Sequence, residues 1–383
     1  MAAIVSSHLG GLKVAAQVVG LSVQDSMVAV GVSRLDGDVW DGAVEVWKLG
    51  AIDAQSAIGD PPTKDCLGRT PVACGVGPVA WLARPAAVAP GGLDSPAKSG
   101  AKPQIVVGRD DGNIDVLTWE RKKALLVPTL SLTEHDDLIS CLVVGPLGCI
   151  ASGSADGSVR VWDLSASTPQ TSDKTLPSPF SGAAVTAMAA APWTDANLGA
   201  LLVCYGGASG VVGPCLCLWD RSKAPLTAPT VILVPCASLA KAHAAVGACA
   251  SPLCCAYGCD PAAQHEAWVG YDDGSLALYD DRCLADGPLR VVRPHGQAAV
   301  RALAPVATAA GHAVVSCGED GQAFIVSSEG ACVCVDSRED YLLAACGVAE
   351  SHCVVTGGMD GQVRLTALSA SAASAATAAG APK

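Results

Sequence analysis

The chain has 383 residues, of which half are apolar and 4% aromatic, and its 36 acidic side chains outnumber the 24 basic ones to give a formal net charge of −12. This charge argues against nonspecific nucleic-acid binding and favours basic partners. No run of about 20 uncharged apolar residues occurs, so no membrane-spanning helix is predicted. The first segment, MAAIVSSHLGGLKVAAQVVGLSV, lacks the basic start of a signal peptide, and we expect strands there.

Short apolar runs recur along the chain, each interrupted by an acidic or small residue followed by glycine. The clearest copy is CIASGSADGSVRVWDLS, from Cys149 to Ser165. The other turns fall at Asp41-Gly42, Asp111-Gly112, Ser209-Gly210, Asp273-Gly274, Asp320-Gly321 and Asp360-Gly361. Because aspartate and glycine both tolerate the positive φ of a two-residue turn, each copy predicts a β-hairpin.

The repeated hairpin also predicts a fold. A unit that recurs about every 40 to 50 residues and ends in Trp-Asp is typical of WD-repeat β-propeller blades. The sequence therefore predicts an all-β, seven-bladed WD-repeat β-propeller that forms one domain over residues 1–368. The second and third strands of the clearest hairpins are expected at 27–33 and 43–49, 104–108 and 113–119, and 149–153 and 158–164. A first strand is expected at 139–144, and later third strands at 216–219, 275–279, 322–326 and 362–368.

The two ends of the chain have different expected roles. Residues 369–383 form an Ala/Ser-rich tail with too little bulk to bury, and we expect this tail to be disordered. The outer strand of the seventh blade must then come from residues 3–16, which closes the ring and removes its open edges. The Pro- and Gly-rich loop 85–103 is also expected to be disordered.

The 18 cysteines lie in strand-like runs without regular spacing, which favours free, buried thiols in a reducing compartment, cytoplasmic or nuclear. The densest group is an alternative zinc site, but it lacks the paired Cys-x-x-Cys spacing of structural zinc sites. Its members are Cys249, Cys254, Cys255 and Cys259, with His243 and His265 nearby. We predict no metal site.

The third repeat contains four residues that WD repeats join in a hydrogen-bonded chain: His135, Ser152, Asp156 and Trp162. A His-Ser-Asp set also suggests a hydrolase triad. The serine, however, lies in a predicted strand and not on a Gly-x-Ser-x-Gly turn. Because no nucleotide-binding or metalloprotease motif is present either, we predict a structural tetrad, no catalytic residue, no cofactor and no enzymatic activity.

Acidic residues concentrate where a propeller places its turns on one face. The expected acidic face comprises Asp110, Asp111, Glu134, Asp136, Asp137, Asp272, Asp273, Glu319, Asp320 and Asp360. One interpretation is that turns select aspartate for local hydrogen bonds. The other is that unneutralised charge attracts arginine-rich segments.

The first turn, SRLDGDVWDG at 33–42, is longer than the others and carries a tryptophan. A large aromatic side chain on a mobile polar turn is a typical interface anchor. The predicted partner-binding residues are Asp38, Val39, Trp40 and Asp41. The alternative is that Trp40 folds back over the edge of its own blade.

Several stretches together resemble one family, the WD-repeat subunit of the methylosome. They are LDGDVWDGAVEVWKL (35–49), VACGVGPVAWL (72–82), IVVGRDDGNIDVLTWE (105–120), EHDDLIS (134–140), SGSADGSVRVWDLS (152–165), VGYDDGSLALYDDRC (269–283), SCGEDGQAFIVSS (316–328) and TGGMDGQVRLTALS (356–369). EHDD followed by one good repeat, and the tryptophan-bearing first turn, are the more specific pieces.

The resemblance implies a role. Members of this family bind the type II protein arginine methyltransferase, and the first-blade tryptophan, here Trp40, inserts into the enzyme's N-terminal barrel. The propeller then helps bring arginine-rich histone and Sm-protein tails to the enzyme, in the cytoplasm and the nucleus. Asp38 and Asp41 make the first turn more acidic than the family pattern, and the insertion at 85–103 is unusual.

Two alternative functions stay open. Tyr279, Asp280 and Arg282 fit the aromatic-Asp-x-Arg box by which some WD-repeat proteins dock to a cullin-type ubiquitin ligase as substrate receptors. A scaffold in trafficking or ribosome assembly is the third interpretation.

Overall fold

The structure is a computed structural model that describes residues 7–13, 16–36, 39–51, 66–82, 102–145, 148–180, 182–191, 200–206, 215–220, 231–233, 250–258, 264–308, 311–348 and 352–368. Within these ranges the chain is all β apart from 3-10 turns, of which Leu49–Ala51, Arg121–Lys123 and Asp281–Asp286 have defined bounds. Of the helices within the same ranges, none has the length and apolar character needed to span a membrane. The turn predicted at Ser209-Gly210, most of the loop 85–103 and the tail 369–383 lie outside the described residues.

The described strands number 28. The first six are β1 (Ser7–Lys13), β2 (Gln17–Gln24), β3 (Met27–Asp36), β4 (Val39–Lys48), β5 (Cys66–Val72) and β6 (Val76–Trp81). There follow β7 (Gln104–Arg109), β8 (Ile114–Glu120), β9 (Leu125–Leu132), β10 (Ile139–Val144), β11 (Cys149–Ser154), β12 (Val159–Asp163), β13 (Lys174–Leu176), β14 (Ala184–Ala190), β15 (Ala200–Gly206), β16 (Cys215–Asp220) and β17 (Val231–Leu233). The last are β18 (Pro252–Tyr257), β19 (Glu266–Tyr271), β20 (Leu276–Asp280), β21 (Arg290–Val292), β22 (Val300–Thr308), β23 (Gly311–Gly318), β24 (Gln322–Ser327), β25 (Cys332–Ser337), β26 (Leu342–Val348), β27 (Cys353–Gly358) and β28 (Gln362–Ala367).

These strands form antiparallel units of four. Five sheets have four strands each, and one eight-stranded sheet consists of β2 to β5 and β6 to β9, joined by the single parallel pair Arg69–Leu125. We number the resulting units from the first, β2 to β5, to the seventh, β26 to β28. In the seventh unit the outer position is taken by β1, which pairs antiparallel with β28. The first and last described strands of the chain therefore lie in one sheet.

The units contact one another in a closed cycle. The first strand of each unit, β2, β6, β10, β14, β18, β22 and β26 in turn, contacts the first strand of the next, and β26 contacts β2. The chain is therefore all β, with strand pairing and contacts that fit a β-propeller. The core lies between neighbouring units, in clusters dominated by valine, leucine and alanine.

Close approach between units explains why the chain is rich in glycine and poor in aromatic residues. A Cβ atom at Gly31 would lie 2.5 Å from a methyl carbon of Val79 in the next unit, and one at Gly153 would lie 2.5 Å from a methyl carbon of Val185. Real Cβ atoms do not approach that closely, so glycine lets a β-branched residue of the neighbouring unit pack against the backbone.

The strand predictions agree with the structure within one or two residues, except in the first hairpin. The turn predicted at Asp41-Gly42 is wrong, because Asp41 pairs with Arg34 and Gly42 with Ser33 across the two strands. The pairing continues to Asp36 and Val39, so the strands connect through residues 37–38, which lie outside the described residues. An ion pair of 2.6 Å between Arg34 and Asp41 supports this longer ladder.

Candidate interaction surface

One face of the ring collects the connections between the second and third strands of the units. In five units the backbone N–H of a residue in this connection donates to the carbonyl of the segment that leads into the first strand of the same unit. The donors are Asp110, Ala155, Asp272, Glu319 and Met359, and the acceptors are Gly75, Leu138, Ser251, Ala299 and Tyr341. We call this surface the turn face. The bonds hold the turns and the connections between units together on this face.

The turns themselves differ from the two-residue turns predicted. Only glycine has a positive φ in them, as at Gly112 (φ 82°) and Gly157 (φ 84°), and no aspartate of these turns does. In each turn the aspartate before the glycine instead accepts, through Oδ1, the backbone N–H two residues ahead. The aspartates are Asp111, Asp156, Asp273, Asp320 and Asp360. The repeated aspartate therefore has a structural role in every described turn of this kind.

The third unit brings its four predicted residues together. The two ring nitrogens of His135 lie 2.9 Å from Asp156 Oδ2 and 2.8 Å from Ser152 Oγ, and Trp162 Nε1 donates to the same Oγ at 2.9 Å. The side chains of His135, Ser152 and Trp162 are buried. A hydrolase would need its serine within reach of substrate. The buried serine has no such access, so the set links the turn to the third strand.

Burial and hydrogen bonding set the charges of this centre. Burial is the main reason that the pKa of His135 lies below 6.5, although Asp156 opposes the shift. For Asp156, burial acts to raise the pKa, but the hydrogen bonds from Ser158 and His135 outweigh it and leave the pKa below its ordinary value. The centre therefore joins a neutral imidazole to a carboxylate near pH 7.

Two related centres were missed by the sequence analysis. In the sixth unit His295 contacts Asp320 Oδ1 at 2.9 Å and Ser316 Oγ at 3.0 Å. The serine and aspartate are four residues apart, as Ser152 and Asp156 are, so this set was detectable from spacing.

In the seventh unit an arginine takes the place of the histidine. Arg338 donates to Thr356 Oγ1 at 2.6 Å and to Asp360 Oδ1 at 3.1 Å. It also pairs with Asp336 at 3.0 Å, which pairs in turn with Arg364 at 3.0 Å. The side chains of Arg338 and Asp336 are 1% and 0% exposed. Attraction to Arg338 and Arg364 outweighs the effect of burial and lowers the pKa of Asp336.

The free charge on the turn face is smaller than the sequence count suggests. Five of the ten predicted carboxylates pair with an arginine: Asp111 with Arg109, Glu134 with Arg160, Asp273 with Arg293, Glu319 with Arg301 and Asp360 with Arg338. Asp320 contacts His295, which is neutral near pH 7 because burial lowers its pKa below 6.5. The other four form no ion pair with any basic side chain of the described residues. They are Asp110, Asp136, Asp137 and Asp272, all exposed. The carboxylates of this set without a cationic partner near pH 7 therefore lie in the second, third, fifth and sixth units.

Trp40 lies on a strand and not on a mobile turn. It belongs to β4, where it pairs with Leu35, and it is 43% exposed while Leu35 is 52% exposed. Of its predicted neighbours, Asp41 is bound to Arg34, whereas Asp38 and the side chain of Val39 lie outside the described residues. A partly exposed aromatic side chain on a paired strand is held in position, which lowers the entropic cost of binding.

The residues of the ligase box already form contacts within the fold. The Tyr279 side chain is fully buried, and its hydroxyl lies 2.7 Å from that of Tyr271. The Arg282 guanidinium pairs with Asp280 at 2.6 Å. Among these described residues, neither the tyrosine nor the arginine is left as an exposed, unpaired contact for a partner.

Potential metal ligands cluster at one place in the described residues, Cys74 with Asp110 and Asp111. Arg109 Nε lies 3.1 Å from Cys74 Sγ, and its guanidinium pairs with Asp111. Burial raises the pKa of Cys74 to about 11, so the thiol is protonated near pH 7. Arg109 therefore neutralises Asp111, one of the two carboxylates of this cluster.

The cysteine group predicted as an alternative zinc site is only partly described. Cys249, Cys259 and His243 lie outside the described residues. Cys254 lies in the β18 core and His265 contacts Asp281.

Comparison with known proteins identifies the repeat. Residues 126–163 match the model of the WD domain, G-beta repeat. The chain is 29% identical over 143 residues to the methylosome protein WDR77 of Xenopus laevis, and the aligned part covers 37% of this chain and 35% of the relative. The match thus spans about a third of that relative's length. Residues 126–163 are therefore similar to a WD repeat, and the all-β architecture of the described residues fits a β-propeller.

Proposed function

We propose that this chain is a non-catalytic scaffold of a protein arginine methyltransferase complex, which binds the type II enzyme and helps present arginine-rich histone or Sm-protein tails. The carrying observation is the similarity to a methylosome protein in a chain whose first hairpin exposes an aromatic side chain. Interface anchors are most often such aromatic residues. The burial of His135 and Ser152 argues against catalysis by the His-Ser-Asp set.

The proposal includes the architecture. The seven units, the cyclic contacts of their first strands and the pairing of β1 with β28 support a single seven-bladed propeller over residues 1–368. A closed ring presents a rigid rim of turns, which suits a scaffold. We further propose that the protein works in the cytoplasm and the nucleus, which a fluorescent fusion in cells would test.

The direct test is reconstitution from purified components. The full chain mixed with a type II arginine methyltransferase should elute as one complex in size-exclusion chromatography with light scattering. The chain alone should transfer no methyl group to an arginine-rich histone peptide, whereas the complex should methylate it faster than the enzyme alone. Failure to form the complex, together with binding to a cullin-ligase linker, would replace this proposal with the ligase alternative.

A further inference from the structure

A cavity of about 420 Å³ opens on the turn face where the first three units meet. Its apolar walls include Val19, Trp40, Val76 and Leu138. Trp40 and Leu138 are 43% and 41% exposed, so both present apolar surface to solvent beside the opening. The walls suit an aliphatic chain, and the indole ring suits a planar cation, because the faces of aromatic rings attract positive charge.

The lining of the cavity also includes a carboxylate. Asp110 lines it, and its Oδ2 accepts the backbone N–H of Gly75 at 2.9 Å. That bond fixes the position of the carboxylate without neutralising it. Arg109, the adjacent cation in the chain, is engaged by Asp111 and Asp115 at 2.5 and 2.9 Å. Asp110 forms no ion pair with any basic side chain of the described residues.

Further negative charge lies along the rim. Asp136 and Asp137 directly precede Leu138, both are exposed, and neither has a basic partner among the described residues. The Asp137 Oδ1 atom accepts the Leu138 N–H at 2.7 Å, which holds the loop in place. The cavity therefore combines apolar walls, an aromatic side chain and a fixed, unneutralised carboxylate.

We propose that this cavity binds one arginine side chain of a partner tail. The aliphatic stem lies along Val76 and Leu138, and the guanidinium is held by the Trp40 ring and the Asp110 carboxylate. Arginine fits better than lysine, because a guanidinium is planar, stacks on aromatic rings and is less strongly hydrated than an ammonium. This inference rests on the proposed function in the choice of an arginine-rich partner, and it concerns the free chain, because Trp40 cannot hold the arginine while it anchors the methyltransferase.

The fifth unit offers a matched comparison. Asp272 occupies the position of Asp110 in the repeat, and its Oδ1 accepts the Ser251 N–H at 2.9 Å, as Asp110 accepts that of Gly75. Asp272 is also exposed and lacks a basic partner among the described residues. It does not line the cavity beside Trp40. Comparing substitutions at the two aspartates therefore separates the effect of the cavity from that of negative charge alone.

The test uses the full chain and a fluorescein-labelled, glycine-rich peptide with a single arginine. Fluorescence anisotropy should show binding that weakens when lysine replaces the arginine and weakens further with methionine. Asp110→Asn keeps an oxygen acceptor for Gly75 and should weaken arginine binding about tenfold or more, since a hydrogen bond to a charged group contributes at least that much. Asp272→Asn should weaken it less than about twofold, as expected for a screened surface charge.

A second variant tests the walls. Leu138→Ser removes exposed apolar surface and should also weaken binding of the arginine peptide, and thermal melting would verify folding of all three variants. Equal effects of Asp110→Asn and Asp272→Asn, equal affinity for arginine and lysine peptides, or no binding to the parent chain would overturn the inference. Binding of the methyltransferase to the parent chain is measured separately, so a parent chain that forms the complex but does not bind the peptide contradicts the cavity alone.

Discussion

The third and seventh units build the same junction from different side chains. In the third, His135 connects the turn aspartate Asp156 to Ser152 of the second strand. In the seventh, Arg338 connects Asp360 to Thr356 at the corresponding positions. The backbone carbonyls of His135 and Arg338 also occupy equivalent positions. A Cβ atom at Gly112, in the turn of the preceding unit, would collide with the carbonyl oxygen of His135, and one at Gly321 would collide with that of Arg338.

The difference shows that this junction can be built around either a histidine or an arginine donor. A neutral histidine donates one N–H to the aspartate and accepts from the serine hydroxyl, with little desolvation of charge. Arg338 is permanently charged, and the junction therefore includes the fully buried Asp336 as a counter-ion. The seventh unit also holds both ends of the described chain, so its charged cluster lies where the ring closes.

The largest expected effect follows from removing the arginine. Arg338→Met leaves Asp336 buried without its main partner, and breaking such a pair costs about 3–5 kcal/mol of unfolding free energy. Urea denaturation followed by circular dichroism measures the change. Arg282→Met, which removes an exposed arginine from its ion pair, is the control and should leave the urea midpoint nearly unchanged. Equal midpoints for both variants would mean that the buried cluster does not stabilise the ring.

The corresponding change in the third unit should lower the free energy of unfolding by a smaller amount. Asp156→Ala removes the acceptor of His135 and of two backbone N–H groups, at a cost of about 1–3 kcal/mol. The same urea titration applies. Asp163→Ala, at the exposed end of the third strand, serves as the control. A variant as stable as the parent would show that the hydrogen-bonded chain contributes nothing to folding.

The smallest expected effect is a difference in the pH dependence of stability between the histidine junctions and the arginine junction. Burial lowers the pKa of His135 and His295 below 6.5 in the folded protein, so the unfolded chain takes up protons first and stability falls as the pH drops below 6.5. The pKa of Asp336 is also lowered, from 3.8, so its contribution persists until the pH falls below that value. The arginine junction should therefore be unaffected between pH 7 and 5.

The urea midpoint measured from pH 7 to 5 tests the predicted sign of this pH dependence. The double variant His135→Gln, His295→Gln should show a shallower decline towards pH 5 than the parent. An identical slope in both proteins would mean that the two histidines titrate normally.

Much of the fold follows from local patterns in the sequence. Alternating β-branched residues beside Asp-Gly pairs predicted most second and third strands, because strand period and turn chemistry are local properties. The first hairpin was mispredicted because LDGDVWDG offers two Asp-Gly pairs, and cross-strand pairing of Arg34 with Asp41 excludes the second as the turn. Local turn propensity does not distinguish between the two Asp-Gly pairs.

The candidate surface was less predictable, because its charges depend on contacts between distant segments. Arg293 neutralises Asp273 from 20 residues away, and Asp336 meets Arg364 across two units. The Arg338 junction escaped notice because no histidine marks it. The cavity beside Trp40 is assembled from three units, so no single motif encodes it.

The most direct test of the proposed scaffold role is the affinity of the Trp40→Ala variant for a type II arginine methyltransferase, measured by biolayer interferometry. Losing a central aromatic anchor typically costs at least about 2 kcal/mol, so binding should weaken about thirtyfold. Leu289→Ala, which truncates another exposed apolar side chain, is the control. The account predicts an unchanged melting temperature with weakened binding for Trp40→Ala. A lowered melting temperature with intact affinity would show that Trp40 stabilises its own unit and that the enzyme binds elsewhere.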